Sequence, residues 1–290
     1  MTQLTMRARD LFDLLGGEQE QPQRRPEVRV NSTLEMIVEK FEKLLARPLT
    51  YNYNHQKGFE VGFYDDSFRT LSQALRSRIS ARDVEQFSLM LGQYRSNDSR
   101  LDEQKGLFIS ALIAASPAQD FTVHTARFNN PIDYIGYCNT KNIVVNGDVN
   151  DVGSGISAGT ILIKGNAKSI CRRLGEIRGA IEIQGDVGTK EVRVPLGFIY
   201  AGNGIVRIHG NVYGGIYDNG EKRARIRVHG DVHGPIRLCG YGEVHLDGEY
   251  EKIILDRNID YHPFKIFHKG KLVVHGHKVN VPEDKLKWEH

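Results

Sequence analysis

The sequence predicts a mainly helical N-terminal domain followed by a right-handed single-stranded β-helix, that is, a β-solenoid. Three observations support this fold class. Of the 30 glycines, 7 precede position 140 and 23 follow it, which marks a change of domain. A seven-residue pattern recurs in the second half at intervals typical of solenoid rungs. The first half instead shows apolar residues at helical spacing behind capping residues.

The repeat reads apolar–x–apolar–x–Gly–polar–apolar and occurs six times. Strict alternation places both aliphatic positions, always Ile, Val or Leu, on one face of a strand, so we expect them to fill the inside of the stack. The glycine allows a sharp corner, and the Asp or Asn that usually follows suits a turn. The predicted corner glycines are Gly147, Gly165, Gly185, Gly210, Gly230 and Gly248. They are 18, 20, 25, 20 and 18 residues apart, and a partial seventh copy places Gly276 a further 28 residues on.

The change in composition and the extent of the repeat divide the chain into four predicted segments. These are a short helix with a polar linker (1–30), a mainly helical domain (31–135), the β-helix (136–280) and a C-terminal tail (281–290). The helical domain is expected to pack against one end of the β-helix.

Helix signals are clear in the N-terminal domain. Ser32 and Glu35 fit a capping box in front of an apolar stripe, and Ser80 with Asp83 forms a second cap. The tyrosine-rich stretch Leu49–Tyr64 is predicted to be extended. Besides the helix that follows Ser32, the predicted helices are Asp66–Ile79, Ala81–Arg95 and Arg100–Ser116.

Bulk properties exclude several classes of protein. The net charge of +3 gives no electrostatic case for nucleic acid or a membrane surface as a partner. No apolar run has the length of a membrane span, and the N-terminus has no apolar signal core. The three cysteines show no C-x-x-C spacing, so no metal or cofactor is predicted. These features favour a cytoplasmic protein.

Four residues form a candidate interaction face. His209 and His229 directly precede corner glycines, and Arg207 and Arg227 lie two positions earlier. Equivalent residues on neighbouring rungs lie about 5 Å apart. Two imidazoles at that spacing could titrate together or bind a metal, but the pattern fixes no third ligand. The arginines could contact an acidic partner or a phosphate, or could simply form a solvated face.

One segment carries a family resemblance. The stretch NGDVNDVGSGISAGTILIKGNA, residues 146–167, resembles a rung of the GXGXG domain, and the resemblance extends over about residues 141–250. This domain is the C-terminal β-helix of the glutamate synthase large subunit, and it makes up most of one of the subunits of formylmethanofuran dehydrogenase. The resemblance implies a non-catalytic β-helix that docks other domains, because the redox and amidotransferase elements of those enzymes have no counterpart here.

Two functional hypotheses follow. The first is a non-catalytic scaffold or accessory subunit that binds a protein partner or a second copy of itself through the outer β-helix face and an open C-terminal rung. The second is an enzyme acting on a carbohydrate or a phosphate ester. Its cleft would lie between Tyr51 and Tyr53 of the helical half and two predicted loops, Thr189–Ala201 and Asp256–Lys269.

Overall fold

A computed structural model describes most of the chain. The described ranges are 31–46, 59–75, 78–94, 99–153, 155–170, 178–189, 204–218, 224–238, 242–256, 264–275 and 278–289. The predicted helix and linker of residues 1–30 lie outside these ranges, as do Tyr51, Tyr53, Cys171 and Cys239.

Four helices precede the strands in the described residues. They are α1 (Ser32–Leu45), α2 (Phe59–Leu75), α3 (Ala81–Leu91) and α4 (Ser99–Ala115). Their apolar stripes meet around Phe41, whose ring lies 5.5 Å from that of Phe87 and 4.9 Å from that of Phe108. All three rings are fully buried, so the helices share one core.

Two helix starts differ from the sequence prediction. The cap of α1 is Asn31 rather than Ser32, because the Asn31 side chain accepts a hydrogen bond from the Leu34 N–H. Helix α2 begins at Phe59, so Leu49–Tyr64 is not extended throughout. The capping box of Ser80 and Asp83 at the start of α3 is confirmed.

The strands that follow form a β-solenoid, as predicted. They are β1 (Asp120–His124), β2 (Asn142–Asn146), β3 (Val149–Val152), β4 (Thr160–Ile163), β5 (Ala167–Ile170), β6 (Ala180–Ile183), β7 (Ile205–Ile208), β8 (Ile216–Asp218), β9 (Arg225–Val228), β10 (Val232–Leu238), β11 (Glu243–Leu246), β12 (Tyr250–Asp256), β13 (Lys265–His268), β14 (Lys271–His275), β15 (Lys278–Val279) and β16 (Leu286–Glu289).

One long sheet runs the height of the solenoid. Its order in the described residues is β1-β2-β4-β6-β7-β9-β11-β13-β14-β15, in which the first eight strands are parallel and the last two antiparallel. A second wall contains the pair β3-β5 and the sheet β8-β10-β12-β16, all parallel. Isolated parallel bridges at Val187 and Val212 link these two parts.

The inside of the stack is aliphatic, as the alternation predicted. Two inward columns of the long sheet are at most 3 % exposed. The first column is Phe121, Ile143, Ile161, Ile181, Val206, Ile226, Val244 and Ile266, and the second is Val123, Val145, Ile163, Ile183, Ile208, Val228 and Leu246. Each such side chain stabilises the fold by about 1.5–3 kcal/mol relative to exposure.

The helices cover the first strand. Strand β1 already belongs to the parallel stack, upstream of residue 136, where the sequence places the domain boundary. Helix α3 lies along its other edge, where the His124 N–H donates to Ser88 Oγ at 3.0 Å. Helix α4 is fastened through Ser110, whose Oγ donates to the Tyr134 carbonyl and accepts from the Gly136 N–H, both at 3.0 Å.

The opposite end of the long sheet departs from the parallel pattern. Strand β14 turns back on β13 through Lys269 and Gly270, both with positive φ, and pairs with it antiparallel. In the long sheet the last parallel rung is therefore followed by the antiparallel strands β14 and β15, and β15 forms the edge. Part of the predicted tail, β16, adds to the second wall beside β12. No helix among the described residues has the length and apolar character needed to cross a bilayer.

Candidate functional site

The polar residue after each corner glycine connects one rung to the next. Its side-chain Oδ1 accepts a hydrogen bond from the backbone N–H of the equivalent residue one rung later. The five links are Asp148 to Asn166 at 2.7 Å, Asn166 to Asp186 at 2.8 Å, Asp186 to Asn211 at 2.6 Å, Asn211 to Asp231 at 2.8 Å and Asp231 to Glu249 at 2.8 Å. These residues are therefore structural, and the sequence reasoning explained them too narrowly as turn formers.

The corner glycines are required by close stacking. A Cβ atom on Gly210 would lie 2.4 Å from the carbonyl oxygen of Gly185, and one on Gly230 would lie 2.4 Å from that of Gly210. Gly147 alone among the six predicted corner glycines has a positive φ, of 129°. The backbone conformation thus explains one corner glycine, while the proximity of the preceding rung explains the other five.

The outward side chains of β1, β2, β4, β6, β7, β9, β11 and β13, together with the residue before each corner glycine, form what we call the ladder face. The four predicted face residues lie together on it. Arg207 and Arg227 are in register on adjacent strands. The rings of His209 and His229 stack with centroids 4.9 Å apart and planes 15° apart.

Two carboxylates complete this group. Glu182 Oε1 lies 3.0 Å from His209 Nε2. Asp247 Oδ2 lies 2.8 Å from His229 Nδ1 and accepts from Arg227 Nε at 3.1 Å and Nη2 at 3.0 Å. The order along the solenoid is therefore carboxylate, two imidazoles, carboxylate. Each pair is partly exposed, so each contributes at most about 1 kcal/mol to stability.

Acidic side chains balance most of the basic residues on the ladder face. Glu243 lies 3.5 Å from Lys265 and 3.9 Å from Arg225, and Asp247 binds Arg227. Arg207 makes no ion pair within the described residues. The sequence reasoning missed Glu182 and Asp247, although the repeat itself places them: Glu182 occupies the position of Arg207, and Asp247 that of His229.

Ring stacking disfavours a metal bridge between His209 and His229. An imidazole ligand binds a metal in the plane of its ring, and two nearly parallel planes 4.9 Å apart do not converge on one ion. Within the described ranges, no group of three or more His, Cys, Asp or Glu residues is arranged to hold a metal.

Other rings along the solenoid also stack on each other. His245 lies over Phe267 with centroids 4.5 Å apart and planes 4° apart, and Tyr213 over His233 at 5.0 Å and 5°. In each pair, the ring on the neighbouring rung covers one face of the aromatic ring, whereas a base or sugar stacks on an aromatic face that is open.

The residues proposed for an enzymatic cleft are mostly outside the described ranges, including Tyr51, Tyr53, all of the first predicted loop except Thr189, and half of the second. The described half of the second predicted loop contains strand β13, so this segment is not a loop throughout. Cys138, beside the junction of the two halves, has a free thiol. Partial burial, and secondarily the carboxylate of Asp65, raises the pKa of this thiol. A raised pKa keeps the sulfur protonated at neutral pH, which lowers its value as a nucleophile.

Comparison with protein families, with curated proteins and with solved structures found no match for this chain. The resemblance to the GXGXG domain therefore depends on the residues of the rungs alone.

Proposed function

We propose that this protein is a non-catalytic, cytoplasmic scaffold or accessory subunit whose β-solenoid mediates protein–protein assembly through the ladder face. The observation that carries the proposal is the rigidity of this face. Its strands are held in register by backbone hydrogen bonds, and its corners by the Asp and Asn links between rungs. A surface fixed before binding loses little conformational entropy when a partner docks.

The two edges of the long sheet favour lateral contact, because a helix lies along one and a very short strand forms the other. Helix α3 lies along one edge of the long sheet, and the other edge is the two-residue strand β15, which follows the antiparallel strand β14. Free backbone N–H and C=O groups at a sheet edge are what end-to-end stacking requires. A partner is therefore expected on the flat outer wall, where side chains rather than backbone groups are offered.

The solenoid is further proposed to be right-handed, because parallel strands joined by crossover connections almost always wind in that sense. We also propose that it is related to the GXGXG domain, on the strength of residues 146–167. Both proposals are consistent with a docking role that requires no cofactor.

The test is the size of the native assembly. The full chain is followed by size-exclusion chromatography in an extract of the cells that make it, and after purification by sedimentation velocity. We expect a species larger than one chain in at least one setting. Leu162→Arg, which places a charge among the outward aliphatic residues of the ladder face, should reduce it. Glu251→Arg, at an exposed position on the second wall, is the matched control and should not. A single chain in both settings would refute the proposal.

A further inference from the structure

The ladder face has two chemically different halves. In the central outward column the first rungs carry Thr122, Val144 and Leu162, whereas the later rungs carry Arg207, Arg227, His245 and Phe267. The two halves meet at Glu182 and Arg207, which are in register on β6 and β7. Glu182 contacts His209, the residue before Gly210, within the same chain. Arg207 makes no ion pair within the described residues. The half-buried side chains of Val144 and Leu162 thus lie beside an arginine without an ion pair, and arginine is enriched in protein interfaces.

We propose that the ladder face binds a second copy of this chain, with the two solenoids face to face and antiparallel. This inference rests on the proposed function and names its partner. The two-fold axis runs along the strand direction and passes between β6 and β7. Glu182 of each copy then faces Arg207 of the other, which forms two equivalent ion pairs at the centre of the interface.

The same two-fold rotation makes the rest of the ladder face complementary to the ladder face of the second copy. Reversing the rung order brings Ala180 of β6 onto Ile205 of β7 in the second copy. Asp120, at the first rung, meets Lys265, at the last parallel rung. Leu162 meets the aliphatic stem of Arg227, whose guanidinium is held by Asp247. No carboxylate of the ladder face meets another carboxylate, and no Arg or Lys meets another Arg or Lys.

The charges select this register over its neighbours. A parallel arrangement of the two solenoids would place Arg207 on Arg207 and Glu182 on Glu182. A slip of one rung in either direction moves the axis onto β6 or β7, and again brings two glutamates or two arginines together. Such like-charge contacts are costly in a partly desolvated interface. The position of the charges thus specifies one arrangement, although the net charge of the face is small.

The area of the ladder face is sufficient for a weak dimer. The eight parallel strands, at about 4.8 Å spacing, give the face a height of roughly 34 Å. Strands of four to five residues give a width of about 15 Å. The contact then buries on the order of 500 Å² per copy and about 1,000 Å² in total, which is the size of a weak, transient interface.

The proposed ion pair between Glu182 of one copy and Arg207 of the other can be tested by mixing two charge-reversal variants. Glu182→Arg and Arg207→Glu are purified separately as full chains, checked for folding by circular dichroism, and measured by sedimentation equilibrium alone and mixed. Each variant alone places two like-charged contacts at the centre, and its self-association should weaken by about 100-fold. In the mixture both contacts pair an arginine with a glutamate, so a heterodimer of near wild-type affinity should form.

This design separates an intermolecular contact from an effect on the monomer. Within each variant chain the neighbouring positions on β6 and β7 carry like charges whether or not a partner is added. Mixing therefore restores affinity only if the two residues meet across an interface. Glu251→Arg, off the face, serves again as the control and should dimerise like wild type. A wild-type chain that remains monomeric, or a dimer that both reversals leave unchanged, would overturn the proposal.

A second measurement does not depend on the central charges. Asp120→Cys and Lys265→Cys are mixed and treated with a bismaleimide of about 10 Å reach, because packed sheets lie about 10 Å apart. A two-chain band that requires both variants supports the antiparallel register, and its absence from a dimeric sample overturns that register. If the purified chain is monomeric but migrates in a larger complex in cell extract, the second copy is excluded and the scaffold proposal stands. If it is a single chain in both settings, both proposals fail.

Discussion

Replacing Gly210 by alanine tests the close stacking that underlies the solenoid. The added Cβ would lie 2.4 Å from the Gly185 carbonyl oxygen and 2.3 Å from Asp186 Oδ1, whereas real Cβ atoms keep at least 3.0 Å. Relief of these contacts lengthens the hydrogen bond from the Gly210 N–H to Gly185, now 3.1 Å, and that from the Asn211 N–H to Asp186, now 2.6 Å. Two weakened hydrogen bonds at about 1 kcal/mol each, with about 1–3 kcal/mol of overpacking, give a loss of roughly 3–5 kcal/mol.

Gly62→Ala is the matched control for this substitution. Gly62 lies on the exposed side of α2, and nothing lies within 4 Å of an added Cβ. Because alanine favours a helix more than glycine does, this variant should gain about 0.5–1 kcal/mol. Both free energies of unfolding are obtained from urea titrations followed by far-UV circular dichroism, with the m-value fitted for each variant. If Gly210→Ala cost less than about 1 kcal/mol, the rungs could not be as close as described.

Three further predictions concern other parts of the fold. Asp186→Ala should cost about 1–2 kcal/mol in urea titrations because the Asn211 N–H loses its acceptor, whereas Asp186→Asn keeps an Oδ1 and should cost under about 0.5 kcal/mol. Ser110→Ala should cost about 1–3 kcal/mol in thermal or urea unfolding, since the buried Gly136 N–H loses its acceptor while the Tyr134 carbonyl keeps the Tyr137 N–H as a donor. Burial, with the nearby Glu42 carboxylate, raises the pKa of Tyr94, so its contribution to stability is complete below about pH 10 and falls above it. Stability measured from pH 9 to 11 should therefore decline less steeply in Tyr94→Phe.

The sequence predicts the solenoid well because the apolar residues that alternate along each strand are the same residues that point into the core. Every Ile, Val or Leu at the two inward positions of the six repeats is buried, from Ile143 to Leu246. Equivalent positions on successive rungs lie next to each other in a parallel stack. Six copies of a local pattern therefore predict contacts between residues that are far apart in the sequence. The first strand, Asp120–His124, was missed because Thr125 follows it where the repeat requires glycine.

The sequence did not predict side-chain contacts between helices that lie far apart in the chain, because no local pattern indicates them. Asn31 and Ser32 are both good capping residues, and Asn31 is selected because its Nδ2 also donates to Asp83 Oδ1 at 2.8 Å. That contact joins α1 to α3 across 52 residues. Similarly, α2 starts early because its buried stripe of Phe63, Ser67 and Leu71 packs on the other helices.

The candidate face was located from the sequence, but its electrostatic character was not. Aligning the repeats by similar residues brings Arg207 beside Arg227 and His209 beside His229, and gives a basic strip. Aligning them by position adds Glu182 and Asp247, which bind His209 and His229. The corrected face is close to neutral, and this changes the class of partner that it fits.

Salt dependence distinguishes these two descriptions of the face. A basic strip that binds a polyanion releases counterions, and its affinity falls steeply as salt increases. A balanced face that pairs Glu182 with Arg207 of a second copy is held by two ion pairs and by apolar contact around Leu162 and Ile205. At a Debye length of about 8 Å its long-range attraction is already screened. We therefore expect the dissociation constant of the dimer to change less than about tenfold between 50 and 300 mM salt, whereas a hundredfold change would favour an acidic partner.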